Sequence, residues 1–234
     1  MHFTKKLSYR PLYKKFLPLK KNVQNNDKIL KFNKLKWQKF QQLTLKKRKK
    51  KFYNPVCYFL SNFKNFFSKK FKYNLHNKQR LSLYYGGLRK SYLKRIVMLS
   101  LKKSRKLNTR ASILFVQKLE ARLDTALYRA HFCQSYYDAS QLISHRKIYV
   151  NGKIIAHKFF ELKKGDLITL DNSIANTVKL NITSSQMWPI PPKHFYVNYK
   201  TLQILVINDI KYTNYFSYYH FWIDFNSFIR HYRK

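Results

Sequence analysis

The first 110 residues carry 33 of the chain's 49 lysines and arginines and a single acid, Asp27. Self-repulsion at that density works against a compact free fold, so this half of the chain needs a counter-charge. The whole chain holds a formal charge of +40 over 234 residues. A polyanion is the natural counterweight, because each neutralised phosphate also releases condensed counterions. Basicity on this scale is the footprint of nucleic-acid binding. Six of the nine acids fall between Glu120 and Asp171. That segment is built to fold as an ordinary module, and the first half is built to lie on phosphate.

Composition sharpens the picture at three points. Hydrophobic residues make up 45% of the chain, enough for a core. Lys, Asn, Phe, Tyr and Ile are abundant and there are only 4 glycines, the bias of AT-rich coding typical of organelle genomes. The aromatic content is therefore not in itself a base-stacking surface. Cys57 and Cys133 lack the close pairing of metal ligands and read as free thiols, with no metal expected. No apolar run approaches the roughly 18–20 residues that span a bilayer, so no membrane partner is expected. The N-terminus is loosely like a transit peptide, but Lys-rich, and equally suits a retained nucleic-acid-binding extension. Its run Lys46-Lys47-Arg48-Lys49-Lys50-Lys51 is expected to order on its partner.

Periodicity locates the folded elements. Leu93, Ile96, Val97 and Leu101 recur at helical spacing, and a loop with Asn108 and Thr109 follows. Val116, Leu119, Leu123, Ala126, Leu127 and Ala130 form one apolar stripe, read as one helix on which Arg122 and Arg129 share an azimuth. Ser135 stands three residues before Asp138 and predicts an N-cap, with the helix ending near His145. Asn151-Gly152 between short apolar runs predicts a type I′ hairpin. Lys164-Gly165-Asp166 turns the chain into a last strand, 167–170. Residues 171–186 read as a linker, the Trp188-Pro189 segment as stiff, and 195–234 as short strands and turns that pack on the helical part before 119.

Arg122-Leu123-Asp124, Tyr128-Arg129, Phe132, Gln141-Leu142-Ile143-Ser144-His145, Val150-Asn151-Gly152 and Lys164-Gly165-Asp166 closely resemble the RNA-binding domain named after ribosomal protein S four. The flanks, Lys78-Gln79-Arg80-Leu81 with Tyr85-Gly86 and Val197-Asn198-Tyr199-Lys200-Thr201-Leu202, resemble the small-subunit ribosomal family itself, particularly its mitochondrial members. The resemblance implies an α+β fold in which the module is inserted into a mainly helical domain formed by N- and C-terminal segments. The expected divisions are a basic extension at 1–70, the first helical part at 71–119, the module at 120–171, and a linker and C-terminal segment at 172–234. His131 and Arg146 stand where the family usually, or often, has Gly. Tyr136 and Ser140 stand where many members have Arg.

Family members bind small-subunit rRNA early in assembly, near the mRNA entry path and the S-three and S-five proteins, and the resemblance implies these partners here. The expected RNA contacts are Arg122, Arg129, Ser135, Tyr136, Gln141, His145, Arg146, Lys147 and Lys153. To these are added Lys78, Arg80, Arg89, Lys90 and the run Lys46 to Lys51. Such contacts recognise backbone and shape more than sequence. For Ser135 capping outranks phosphate contact, and Asp124 is read as ordering Arg122 or a neighbouring backbone rather than as a catalyst. No Walker-type loop, paired carboxylates, Ser/His/Asp set or HExxH motif is present, so neither an enzyme nor a cofactor is expected. The alternatives are an RNA-modifying enzyme or ribosome-associated factor using the same module. The expected compartment is the mitochondrion, with the plastid as alternative.

Overall fold

The computed structural model describes residues 19, 23, 35–39, 42, 66–185, 190–208, 219, 221 and 223–233. The run 46–51 lies outside the described residues. The chain divides into two compact units, one of residues 1–84 with 217–231, the other of 85–216 with 232–234. The expected division at 119/120 is therefore displaced: the two helices that follow residue 89 belong with the module.

In the first unit, helix α1 (Phe66–Tyr84) buries Leu81 and Tyr84. The Tyr84 ring lies 5.2 Å from Tyr219 and 5.6 Å from Phe221. Ser227 donates a 2.7 Å hydrogen bond to Oδ1 of Asn74 on α1. Ser227 itself sits in a C-terminal helix, Phe225–Arg233, where turns and strands were expected. The signal was there: Phe225, Phe228, Ile229 and Tyr232 follow helical spacing, and the Asp224 carboxylate accepts from the backbone N–H of Asn226 and Ser227 as a cap.

The second unit opens with α2 (Lys90–Leu107), which buries Leu93, Ile96, Val97 and Ser100. Asn108 ends it in the left-handed region, φ 48°. Helices α3 (Ala111–Glu120) and α4 (Leu123–Arg129) replace the single helix expected there. The break has a physical cause. Arg122 is extended, with φ −76° and ψ 142°, and pairs as an isolated bridge with Glu161. Leu123 N–H donates to the Phe160 carbonyl and Leu162 N–H to that of Ala121. The apolar stripe runs across the break in phase, so periodicity alone does not reveal it. Helix α5 (Tyr136–Ser144) starts on Ser135, whose Oγ accepts from Asp138 N–H, and ends at His145.

Strands β1 (Ile148–Val150) and β2 (Lys153–Ile154) form the Asn-Gly hairpin, and β3 (Leu167–Leu170) pairs antiparallel with β1. Asn151 and Gly152 have φ 51° and 77°, as a type I′ turn requires. The expected linker is instead a 3-10 turn at 172–174 followed by α6 (Ala175–Ser185). Ile174, Val178 and Ile182, four apart, face the core; Asp171 caps the turn. Strands β4 (Phe195–Asn198) and β5 (Gln203–Val206) then return to the module, not to the helical part. β5 pairs with β3 through Leu167↔Leu205 and Ile168↔Ile204, giving the sheet order β2-β1-β3-β5-β4. The helices pack on one sheet face around Leu127, Phe132, Ile143, Ile148, Ile168 and Ile204, all 0% exposed. Each such residue contributes roughly 1.5–3 kcal/mol relative to exposure.

Candidate nucleic-acid interface

The two arginines expected to face phosphate are interior. Arg122 is 1% exposed and donates from Nε and Nη2 to the two carboxylate oxygens of Asp124. Its guanidinium carbon lies 4.8 Å from the Phe159 ring centroid, 5.7 Å from Tyr92 and 5.8 Å from Tyr85. Three aromatic rings around one buried cation supply a quadrupole attraction in place of the hydration it loses on burial. Burial raises the Asp124 pKa, and the opposing charge and hydrogen bonds of Arg122 offset this only in part.

Arg129 is 6% exposed and forms a bidentate pair with Glu120, Nε to Oε2 at 3.1 Å and Nη2 to Oε1 at 2.8 Å. Tyr85 Oη donates to the same carboxylate. Burial pushes the Glu120 carboxyl up, but the charge and hydrogen bonds of Arg129 and the Tyr85 hydrogen bond together outweigh it and hold it below the usual range. His194, buried beside this pair, is pushed down to about 4 by burial; Arg129's charge adds to this and Glu120's opposes it. The break between α3 and α4 is what turns Glu120 and Arg129 toward each other. Arg122 and Arg129 thus hold the module together and share no outward face with His145 and Arg146.

Tyr136 is also corrected. It is 7% exposed, with its ring 4.4 Å from that of Tyr128 and stacked on it. Its Cβ faces Gly86: a methyl there would approach to 2.7 Å, and Gly86 has φ 75°. Glycine serves both needs at that position. Ser135 is engaged as the cap of α5. Arg80 is half-buried and donates to the Leu19 carbonyl, and burial lowers its pKa. Lys147 reaches Asp171 at 2.7 Å and Ser173 at 2.9 Å, and so pins the sheet to the 3-10 turn. Lys78 is half-buried on α1.

Gln141, His145, Arg146, Lys153, Arg89 and Lys90 are exposed. Gln141 and His145 are four apart, so they lie along one side of α5 and its C-cap. Arg146 follows with φ 59°, and His131 has φ 64°. Both departures from glycine therefore keep the glycine-type backbone and carry its strain.

Sequence reading passed over a cationic exposed surface on α2. Lys94, Arg95, Lys102, Arg105 and Lys106 on α2 are all exposed. On a helix of 3.6 residues per turn they occupy an arc of about 120° opposite the buried stripe, over about 18 Å of axis. None is paired with a carboxylate among the described residues. The signal was an acid-free helix whose outward side carries cations on either side of Ser91 and Met98. Among the described residues, no cluster of three or more His, Cys, Asp or Glu could hold a metal, and no helix is long and apolar enough to cross a membrane.

Comparison with known proteins fits this geometry. The S4 domain matches residues 121–168, from the turn before Arg122 into β3. The chain is 34% identical over 141 residues to small ribosomal subunit protein uS4m of Marchantia polymorpha, covering 58% of this chain and 68% of that one. It is 35% identical over 145 residues to uS4 of Karelsulcia muelleri, covering 62% and 70%. To uS4c of Euglena longa it is 28% identical over 182 residues, covering 77% and 80%. The likeness thus reaches well beyond the module into its flanks, and the chain belongs to the small ribosomal subunit protein uS4 family.

Proposed function

We propose that the protein is a structural constituent of the ribosomal small subunit that binds small-subunit rRNA directly and supports subunit assembly. It lies near the mRNA entry path, beside the S-three and S-five family proteins, in the mitochondrion rather than the plastid. The observation that carries direct RNA binding is the outer face of α2, five exposed cations without a carboxylate partner among the described residues. A face of that kind tracks phosphates without reading bases. Arg89 and Lys90 at its start, with Gln141, His145, Arg146 and Lys153 on the module, extend the contact surface. Lys46 to Lys51 add six further cations for the same polyanion. The compartment is supported by the AT-type composition and by the 197–202 segment.

The experiment is a salt titration of binding to a small-subunit rRNA fragment. Replacing Lys94, Arg95, Lys102, Arg105 and Lys106 with Ala is expected to reduce the log–log salt slope by about one for each phosphate that is no longer neutralised. An unchanged slope and affinity sink the assignment of this face. Co-sedimentation with the small subunit through high-salt gradients tests the structural role, since a factor that cycles on and off is washed away.

A further inference from the structure

An open cleft of about 480 Å³ lies between α5 and the 156–160 loop. Ser140 and Ser144 form one wall; Ala156, His157, Lys158, Phe159 and Phe160 form the other. The volume falls within the roughly 300–1,000 Å³ of small-ligand sites. No acid lines it. The two serines are short, so the helix side of the cleft is recessed where a long side chain would fill it. Ser144 Oγ donates to the Ser140 carbonyl and keeps its lone pairs for an incoming donor.

The opposite wall is held in place. Phe159 stacks on Tyr92 with centroids 4.3 Å apart, and the buried Arg122 guanidinium lies against the same ring. Lys158 Nζ is 5.1 Å from its centroid. His157 and Lys158 are exposed at the mouth. Aromatic edges, two hydroxyls and a cation at the rim suit a ligand with a flat heterocycle and a phosphate. A duplex backbone presents no such group, whereas an unpaired nucleotide splayed out of an RNA helix does.

We infer that this cleft receives one unpaired nucleotide extruded from the bound RNA. Lys158 and His157 meet its phosphate, Phe159 and Phe160 flank the base, and Ser140 and Ser144 contact its polar edge. The inference rests on the RNA-binding reading above and adds a second mode of contact to it. The α2 face follows backbone; the cleft selects for a helix interrupted by a bulge.

The test uses the full-length chain and two RNA hairpins of equal charge, one fully paired and one with a single bulged 2-aminopurine. The bulged hairpin is expected to bind roughly tenfold tighter at matched salt, near the lower range for placing one base against aromatic side chains. Its 2-aminopurine fluorescence should change on binding. Ser140→Arg fills the recess and adds a cation. It is expected to abolish the preference while leaving the paired hairpin bound as tightly or more so. Lys158→Ala, on an exposed loop, should weaken the bulged hairpin alone, by about threefold. Equal wild-type affinity for the two hairpins overturns the cleft and leaves the RNA-binding reading standing. Retention of the preference in Ser140→Arg, confirmed folded by its melting curve, also overturns it. Failure to bind either hairpin at low salt overturns both.

Discussion

The interior of the module and the outer face of α2 use the same residue type for opposite ends. Inside, Arg122 and Arg129 are each clamped by one buried carboxylate and contribute nothing to the surface charge. Outside, Lys94, Arg95, Lys102, Arg105 and Lys106 have no such clamp among the described residues and remain open to an external anion. The difference lies in the supply of acids. In a chain with nine of them, Glu120 and Asp124 both sit where they can be buried against a cation. A cation in a chain this basic is thus best read by asking whether a carboxylate can reach it.

The comparison breaks most visibly at Arg129. Arg129→Ala leaves Glu120 buried without its cation and is expected to cost about 3–5 kcal/mol, read as a lowered melting temperature or urea midpoint. A smaller loss would mean that the pair is wetter than its burial indicates.

The next effect is one of pH. His194 is held neutral beside Glu120 and Arg129, its pKa pushed down to about 4 from 6.5. A group with a depressed folded pKa contributes stability above its unfolded value and loses it as pH falls toward the folded one. About 3 kcal/mol should therefore disappear between pH 6.5 and 4. Glu120, also depressed, has the same sign through its own lower range. Asp124, raised by burial, has the opposite sign: its contribution falls as pH rises from the unfolded toward the folded value. Urea titrations of His194→Gln should lack the loss between pH 6.5 and 4; an unaltered profile would remove His194 from the account.

Gly86→Ala places a methyl 2.7 Å from the Tyr136 Cβ in a left-handed backbone. It should destabilise by roughly 2 kcal/mol, from overpacking and strain together. Arg146→Gly sharpens the contrast from the other side. It relieves the left-handed strain at φ 59° and should stabilise the fold by about 0.5–1 kcal/mol, while weakening RNA binding. An arginine placed there in spite of the strain fits a surface role; unchanged RNA affinity would argue against it. Smallest of all, Lys102→Ala and Lys106→Ala should each move stability by no more than about 0.5 kcal/mol while still reducing the salt slope.

Much of the module was legible because its signals are local. The Ser135 cap, the Asn151-Gly152 turn and the strands around it each occupy a few consecutive residues, and the observed φ values and hydrogen bonds follow. Asp124 as the partner of Arg122, two residues away, was equally local. Glu120 and Arg129 were not: their meeting requires a helix break that keeps the apolar stripe in phase. The pairing of β5 with β3 joins residues nearly forty apart through a polar segment, and nothing nearby announces it. Helix α6 was hidden by its polar composition, although Ile174, Val178 and Ile182 marked its inner side.

That β3–β5 pairing also determines where the molecule can be cut. A fragment ended at 171, just past the S4 domain match, would strip β3 of its neighbour and leave the Leu167–Leu170 strand as a bare edge, open to pairing with another copy. The same cut would uncover Ile168 and Phe132, which pack against α6 and β5 in one cluster. A soluble expression fragment of the module therefore has to run on to about residue 208, through the sheet's last two strands.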